Sequence, residues 1–146
     1  MEDTYRKGLE VDDEVCMLDI LDTYGPTNPL REHWLQSANA VIIVYSVTSR
    51  FSFDSVQQHV ASVKELNGDE TIIVLAGTKS DLHAQRQVST EEGEYFANQL
   101  GCQFFETSAF HRINIEEVFF ATIREYWKKL AKPTATSKKS SKCRLQ

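Results

Sequence analysis

Three observations predict an α/β fold. Apolar runs of strand length alternate with helical segments along most of the chain, the pattern of a sheet flanked by helices. Two runs, 40–47 (AVIIVYSV) and 71–77 (TIIVLAG), are continuous rather than alternating, as strands covered on both faces must be. Helix ends are written out by Ser or Asn followed by paired glutamates, and by a closing Gly.

In chain order, residues 4–11 and 14–22 read as two strands around the acidic turn Asp12 and Asp13, hence an antiparallel hairpin. The run 40–47 is the next strand. Ser52 is placed to cap a helix, with Phe51 before it and Val56 positioned for a hydrophobic staple. Val60, Val63 and Leu66 continue that helix at the expected spacing. After strand 71–77, Ser89-Thr90-Glu91-Glu92 forms a capping box ahead of Tyr95, Phe96 and Leu100, and Gly101 ends the helix. Residues 102–106 are a shorter strand. Asn114, Ile115, Glu116 and Glu117 open the last helix in the same manner. Its apolar face holds Val118, Phe119, Thr122, Ile123 and Tyr126, and Pro133 marks its end.

A chain of 146 residues, 41% hydrophobic and 25% charged, fits one globular domain. That domain is expected over 1–131, followed by a flexible basic tail over 132–146, where Ser, Thr and Lys leave little to bury. The longest apolar stretch, 41–45, is too short to span a bilayer. Acidic residues follow Met1, so no secretory signal is expected, and cytosolic synthesis is the default. Cys16, Cys102 and Cys143 cannot close a disulfide framework. His33, His59, His83 and His111 fit no zinc spacing. The net charge of −5 conceals a split: from Lys128 onward every charged side chain is basic (Lys128, Lys129, Lys132, Lys138, Lys139, Lys142, Arg144). The acidic body argues against general nucleic-acid binding. The basic tail suits an anionic membrane surface.

Three short motifs fall where strands end, the edge at which open α/β sheets bind ligands. Thr78-Lys79-Ser80-Asp81 follows strand 71–77, Glu106-Thr107-Ser108-Ala109 closes strand 102–106, and Asp22-Thr23-Tyr24-Gly25 closes strand 14–22. Each alone is weak and reads more readily as an ordinary strand-end loop. Their order, spacing and strand context agree. The chain ends in Cys143-Arg144-Leu145-Gln146, a C-a-a-X box whose final Gln favours farnesyl. One lipid anchors weakly, and Lys138, Lys139 and Lys142 can supply the second signal.

Together with Leu18 to Thr23 and Glu2-Asp3-Thr4-Tyr5-Arg6-Lys7, these motifs make the chain resemble the Ras-type small GTPases from Glu2 to about Trp127. The resemblance implies a P-loop NTPase-like three-layer sandwich and a GTP/GDP-binding signalling switch that uses Mg2+. In that family the carboxylate matched by Asp81 accepts two hydrogen bonds from guanine and so rejects adenine. The stem of Lys79 would pack on the base beside Thr78, and the backbone of Ser108 and Ala109 would meet the guanine oxygen. Asp22 would hold magnesium through water, and the Gly25 amide would meet the terminal phosphate. Asp3 and Tyr5 would face effector proteins along an exposed strand edge. Cys143 would carry the lipid at the cytoplasmic face of a membrane, the plasma membrane by expectation. Guanine nucleotide, effectors and regulators are the implied partners, and nucleic acid is not.

The chain also departs from that family. No Gly-x-x-x-x-Gly-Lys-Ser/Thr occurs. The family's first strand, phosphate loop and first helix precede the point matching Glu2, so the fold is expected to lack them. The absent strand would lie between those ending at Asp22 and Val47, leaving two edges unpaired and one sheet face uncovered. Met1 could then be an internal methionine of a longer protein. Pro26 stands where the family has the glutamine that orients the attacking water, and it offers neither side-chain amide nor N–H. Tyr24 fills a place that is normally small, and Asn28-Pro29 alters the following segment. No catalytic residue is therefore assigned, and impaired GTP hydrolysis is expected. Beside the switch stand two other readings: a farnesylated interaction module without turnover, and a nonfunctional fragment.

Overall fold

The first turn is made by two acids that both adopt left-handed backbone, Asp12 at φ 51° and Asp13 at φ 64°, as a two-residue hairpin turn requires. It joins β1 (Asp3–Val11) to β2 (Glu14–Asp22) in an antiparallel register running from Asp3 opposite Asp22 to Val11 opposite Glu14. The computed structural model describes residues 3–22, 30–131 and 142–145. The remaining strands are β3 (Ala40–Ser46), β4 (Ile72–Thr78), β5 (Gln103–Glu106) and β6 (Lys142–Leu145). They form one sheet in the order β1-β2-β6-β3-β4-β5. Every neighbouring pair from β2 to β5 is parallel, so the ends of β2, β3, β4 and β5 share one edge.

β6 departs from the sequence-based expectation of a flexible tail and two unpaired strand edges. Met17 to Ile20 of β2 pair with Lys142 to Leu145, and Leu145 pairs with Ala40 of β3. Open N–H and C=O groups on two facing edges are costly to leave without partners. The polar composition that predicts disorder takes no account of that demand.

The helices are α1 (Arg31–Ser37), α2 (Arg50–Asp54), α3 (Val56–Asn67), α4 (Thr90–Leu100) and α5 (Ile115–Leu130). One sheet face packs Val41, Ile43, Tyr45 and Leu75 against Leu35 of α1, Val60 and Val63 of α3 and Ala97 of α4. The other packs Val11, Leu18 and Ala40 against Ile123, Phe119 and Trp127 of α5. Ala40 and Ile42 belong to that second layer, and Val44, next on the same face, is 56% exposed. The α5 side therefore stays open toward the end of β3, whereas on β4 Val118 of α5 packs with Val74 and Ala76.

Two predicted caps are corrected. The first cap is Ser49, whose hydroxyl accepts from the Ser52 N–H at 3.2 Å. Ser52 lies inside α2 and donates instead to Ser46 O at 3.2 Å and Ser49 O at 2.8 Å. Phe51 forms no staple and is exposed. Asn114 precedes α5 in left-handed backbone without a side-chain cap. The predicted capping box is present: Ser89 accepts from Glu92 N–H, Glu92 reaches back to the Ser89 N–H, and Gly101 closes α4 at φ 69°.

Glu92 also pairs with Arg50, tying α2 to α4. The Arg50 hydrogen bond, seconded by the Ser89 N–H, lowers the Glu92 carboxyl to about 2. Its folded value is below its unfolded one, so its contribution is complete above the ordinary carboxylate range and is lost as pH falls toward about 2. The unfolding temperature of the wild type is therefore expected to drop more steeply between pH 5 and pH 2 than that of Glu92→Gln. Parallel curves would show that this carboxylate is not linked to folding.

Candidate functional site

At the shared strand edge, the loops after β4 and β5 are bonded into one body. The Thr107 N–H donates to Gly77 O at 2.8 Å and the Ser80 N–H to Thr107 O at 3.0 Å. Thr78, the last residue of β4, is fixed to β3 twice: its hydroxyl donates to Tyr45 O at 3.0 Å, and its carbonyl accepts from the Val47 N–H at 3.0 Å. The chain then turns through Lys79, held at φ 63° and exposed. A second turn closes as the Leu82 N–H donates to Lys79 O at 3.0 Å.

Asp81 follows, and the fully buried Ser108 donates its hydroxyl to Asp81 Oδ1 at 2.8 Å. The same hydroxyl accepts from the His111 N–H at 3.1 Å. Ser108 and Ile113 exchange backbone hydrogen bonds of 3.1 and 2.9 Å, so Ala109, Phe110, His111 and Arg112 form a tight tip. Arg112 at φ 54° and Asn114 at φ 57° supply the left-handed backbone that this tip needs. Thr78, Lys79, Asp81, Ser108 and Ala109 are thus brought together as the sequence predicts.

A second tier, which the sequence reading passed over, holds these loops from behind. Arg86 forks onto Glu106 at 2.7 and 3.0 Å and also donates to Val88 O at 3.0 Å and Ser80 O at 3.4 Å. Thr90 donates to the same carboxylate at 2.9 Å, and the Asn114 side-chain amide donates to Glu106 O at 2.8 Å. The Glu106 hydrogen bonds raise the Arg86 guanidinium above its ordinary value. The available signal was Glu106 itself: a carboxylate ending a strand that reads Gln-Phe-Phe-Glu needs a cation when its surroundings close over it.

The other candidates lie farther out. Asp22 ends β2 on the same edge, exposed and three strand spacings from β4, about 14 Å. Gly25, Tyr24 and Pro26 lie outside the described residues. Tyr5 is 55% exposed on β1, the outermost strand, where Asp3 is the first residue. Cys143 is in β6, in register with Leu18. No group of three His, Cys, Asp or Glu gathers among the described residues. A lone Asp22 fits magnesium held largely by water and phosphate oxygens, the habit of that ion.

A mostly parallel sheet whose strand-end loops are locked together by a carboxylate and a buried serine is the α/β class that binds ligands at the carboxyl ends of its strands. Comparison with known proteins narrows the class. The model of the Ras family matches residues 1–128. The chain is 49% identical over 121 residues to the Ras-like protein rasU of Dictyostelium discoideum, covering 82% of this chain and 57% of the relative. It is 42% identical over 142 residues to a Ras-like protein of Laccaria bicolor, covering 92% and 67%. With the Ras-like protein rasZ of Dictyostelium discoideum it shares 46% over 127 residues, covering 85% and 59%. The chain belongs to the Ras family of small GTPases. It spans between 57% and 67% of the length of these relatives.

Proposed function

We propose that the protein binds a guanine nucleotide at the strand edge and acts as a GTP/GDP switch in signalling. The hydrogen bond from Ser108 to Asp81 Oδ1 carries this reading. It fixes the two loops as one wall and leaves Asp81 Oδ2 for a ligand. Guanine offers two adjacent N–H donors to such a carboxylate. Adenine offers a ring acceptor at the corresponding position, which a carboxylate repels. Lys79, exposed beside Asp81, lays its stem along the base, with Thr78 and Ala109 completing the wall. Asp22 holds Mg2+ through water, and Gly25 meets the terminal phosphate. Lipidation of Cys143, with Lys138, Lys139 and Lys142, attaches the protein to the cytoplasmic face of the plasma membrane; because Cys143 is in register with Leu18 inside the sheet, this attachment requires β6 to leave the sheet. No helix among the described residues is long and apolar enough to cross one. Effectors add along the outer edge of β1, past Asp3 and Tyr5.

Thermal unfolding of the chain with GDP and Mg2+, against ADP and Mg2+, tests the proposal. GDP at about a hundred times its dissociation constant adds about 2.7 kcal/mol, and ADP at that concentration adds none. Asp81→Asn is expected to erase the difference. A cooperative transition indifferent to both nucleotides favours the second reading, an interaction module without turnover. Pro26, standing in place of the water-orienting glutamine, supports that reading.

A further inference from the structure

We propose that β6 is a displaceable strand that controls lipidation: the sheet and a prenyl-transferring enzyme compete for the stretch Cys143 to Leu145, and Cys143 is modified only in molecules whose β6 has left its place between β2 and β3. The proposal rests on the lipidation reading above. β6 runs from Lys142 to Leu145, so it contains three of the four residues of the box Cys143-Arg144-Leu145-Gln146. Those three are in parallel register with Leu18, Asp19 and Ile20 of β2. An enzyme acting on the box holds it as a free segment in its own cleft. Backbone that is already paired with β2 is not available to that cleft.

β6 can leave without taking its neighbours with it. β2 is paired with β1 from Glu14 to Asp22, and β3 with β4 from Ala40 to Ser46, so each keeps a full partner on its far side. Leu18 and Ala40 also share a buried cluster with Ile123 of α5. The hold on β6 is uneven: all four of its residues pair with β2, but only Leu145 pairs with β3, at Ala40. Ordering four residues costs conformational entropy that offsets much of the gain from pairing them. Release of β6 is therefore a local opening, not unfolding. In the released form the Cys143 sulfur attacks the allylic carbon of a prenyl diphosphate. A C–S bond forms, the C–O bond to diphosphate breaks, diphosphate leaves and the thiol proton passes to solvent. Coupling is reciprocal, so the modified chain leaves Met17 to Ile20 open on the side that β6 occupied.

Two measurements on the full chain test this. Hydrogen exchange of the most protected amide among Cys143, Arg144 and Leu145 gives the fraction of molecules with β6 released. Prenylation by a farnesyltransferase and farnesyl diphosphate, followed by mass, gives kcat/KM for the chain and for a free peptide of residues 132–146. The chain is expected to be slower than the peptide by the factor that exchange reports, roughly 10- to 1,000-fold for a released state of low population. In the prenylated chain, exchange along Met17 to Ile20 is expected to quicken while Ile72 to Thr78 keep their protection. A chain modified as fast as the peptide overturns the competition and leaves the lipidation reading standing. So does a slower chain whose three amides are unprotected. If neither chain nor peptide is modified, the lipidation reading falls and the competition falls with it.

Discussion

Gly93→Ala is expected to destabilise the protein by about 2–3 kcal/mol, although helix propensity alone favours alanine by about 1 kcal/mol. Gly93 lies in α4 and is buried. A methyl group there would meet the ring edge of Phe104 and would stand 2.5 Å from the Tyr45 hydroxyl oxygen. Neither neighbour can move cheaply. The Tyr45 ring packs on Phe53 at 4.9 Å and on Phe104 at 6.5 Å between centroids, and Phe53 in turn contacts Phe96 at 5.8 Å. Overpacking of this kind typically costs about 1–3 kcal/mol, occasionally more, so the steric term outweighs the propensity. Urea unfolding measures the result, and a stabilised Gly93→Ala would show that α4 can rise off the sheet freely. The Tyr45 hydroxyl is itself buried without a hydrogen-bond partner, and burial pushes its pKa upward. Removing it should therefore relieve the crowding: Tyr45→Phe/Gly93→Ala is expected to be more stable than Gly93→Ala.

The sequence reading reached the sheet more readily than the supports around it. The continuous runs AVIIVYS and IIVLAGT became β3 and β4 because burial on both faces selects residues directly. The hairpin at Asp12 and Asp13 and the Ser89 box are local signals and were equally legible. Ser52 was misread because Ser49 is an equally good cap three residues earlier. The choice between them depends on where β3 ends, since the Ser52 hydroxyl is taken by Ser46 O. Asn114 was misread for a similar reason: its amide is committed to Glu106 O, a contact across the chain. β6 illustrates the general limit. Whether four residues of a polar tail form a strand depends on what lies open elsewhere in the molecule. At the site, pattern pointed to the loops after β4 and β5, which the Ser108–Asp81 hydrogen bond joins; of the third motif only Asp22 lies among the described residues. The brace of those loops was not found, because Arg86 lies twenty positions from Glu106 and, unlike Glu106, belongs to no short motif.

That brace has the second large expected effect. Arg86→Ala removes a two-pronged ion pair whose side chains are 21% and 15% exposed, and it leaves Glu106 charged at the base of the loop that carries Ser108. Breaking a fully buried pair from one side costs about 3–5 kcal/mol. Residual contact with water lowers the expectation here to about 2–3 kcal/mol. Arg86→Met/Glu106→Gln, which removes both charges, is expected to cost less than Arg86→Ala alone, because no unpaired ion remains. The reach of the same guanidinium to Ser80 O at 3.4 Å ties the effect to the site, one residue before Asp81. In Arg86→Ala, hydrogen exchange at the Ser80 and Thr107 amides is therefore expected to quicken more than exchange in β3. A cost below about 0.5 kcal/mol would class this pair with ordinary surface ion pairs. Uniform quickening across the sheet would mean that Arg86 supports the fold as a whole and has no special hold on the loops after β4 and β5.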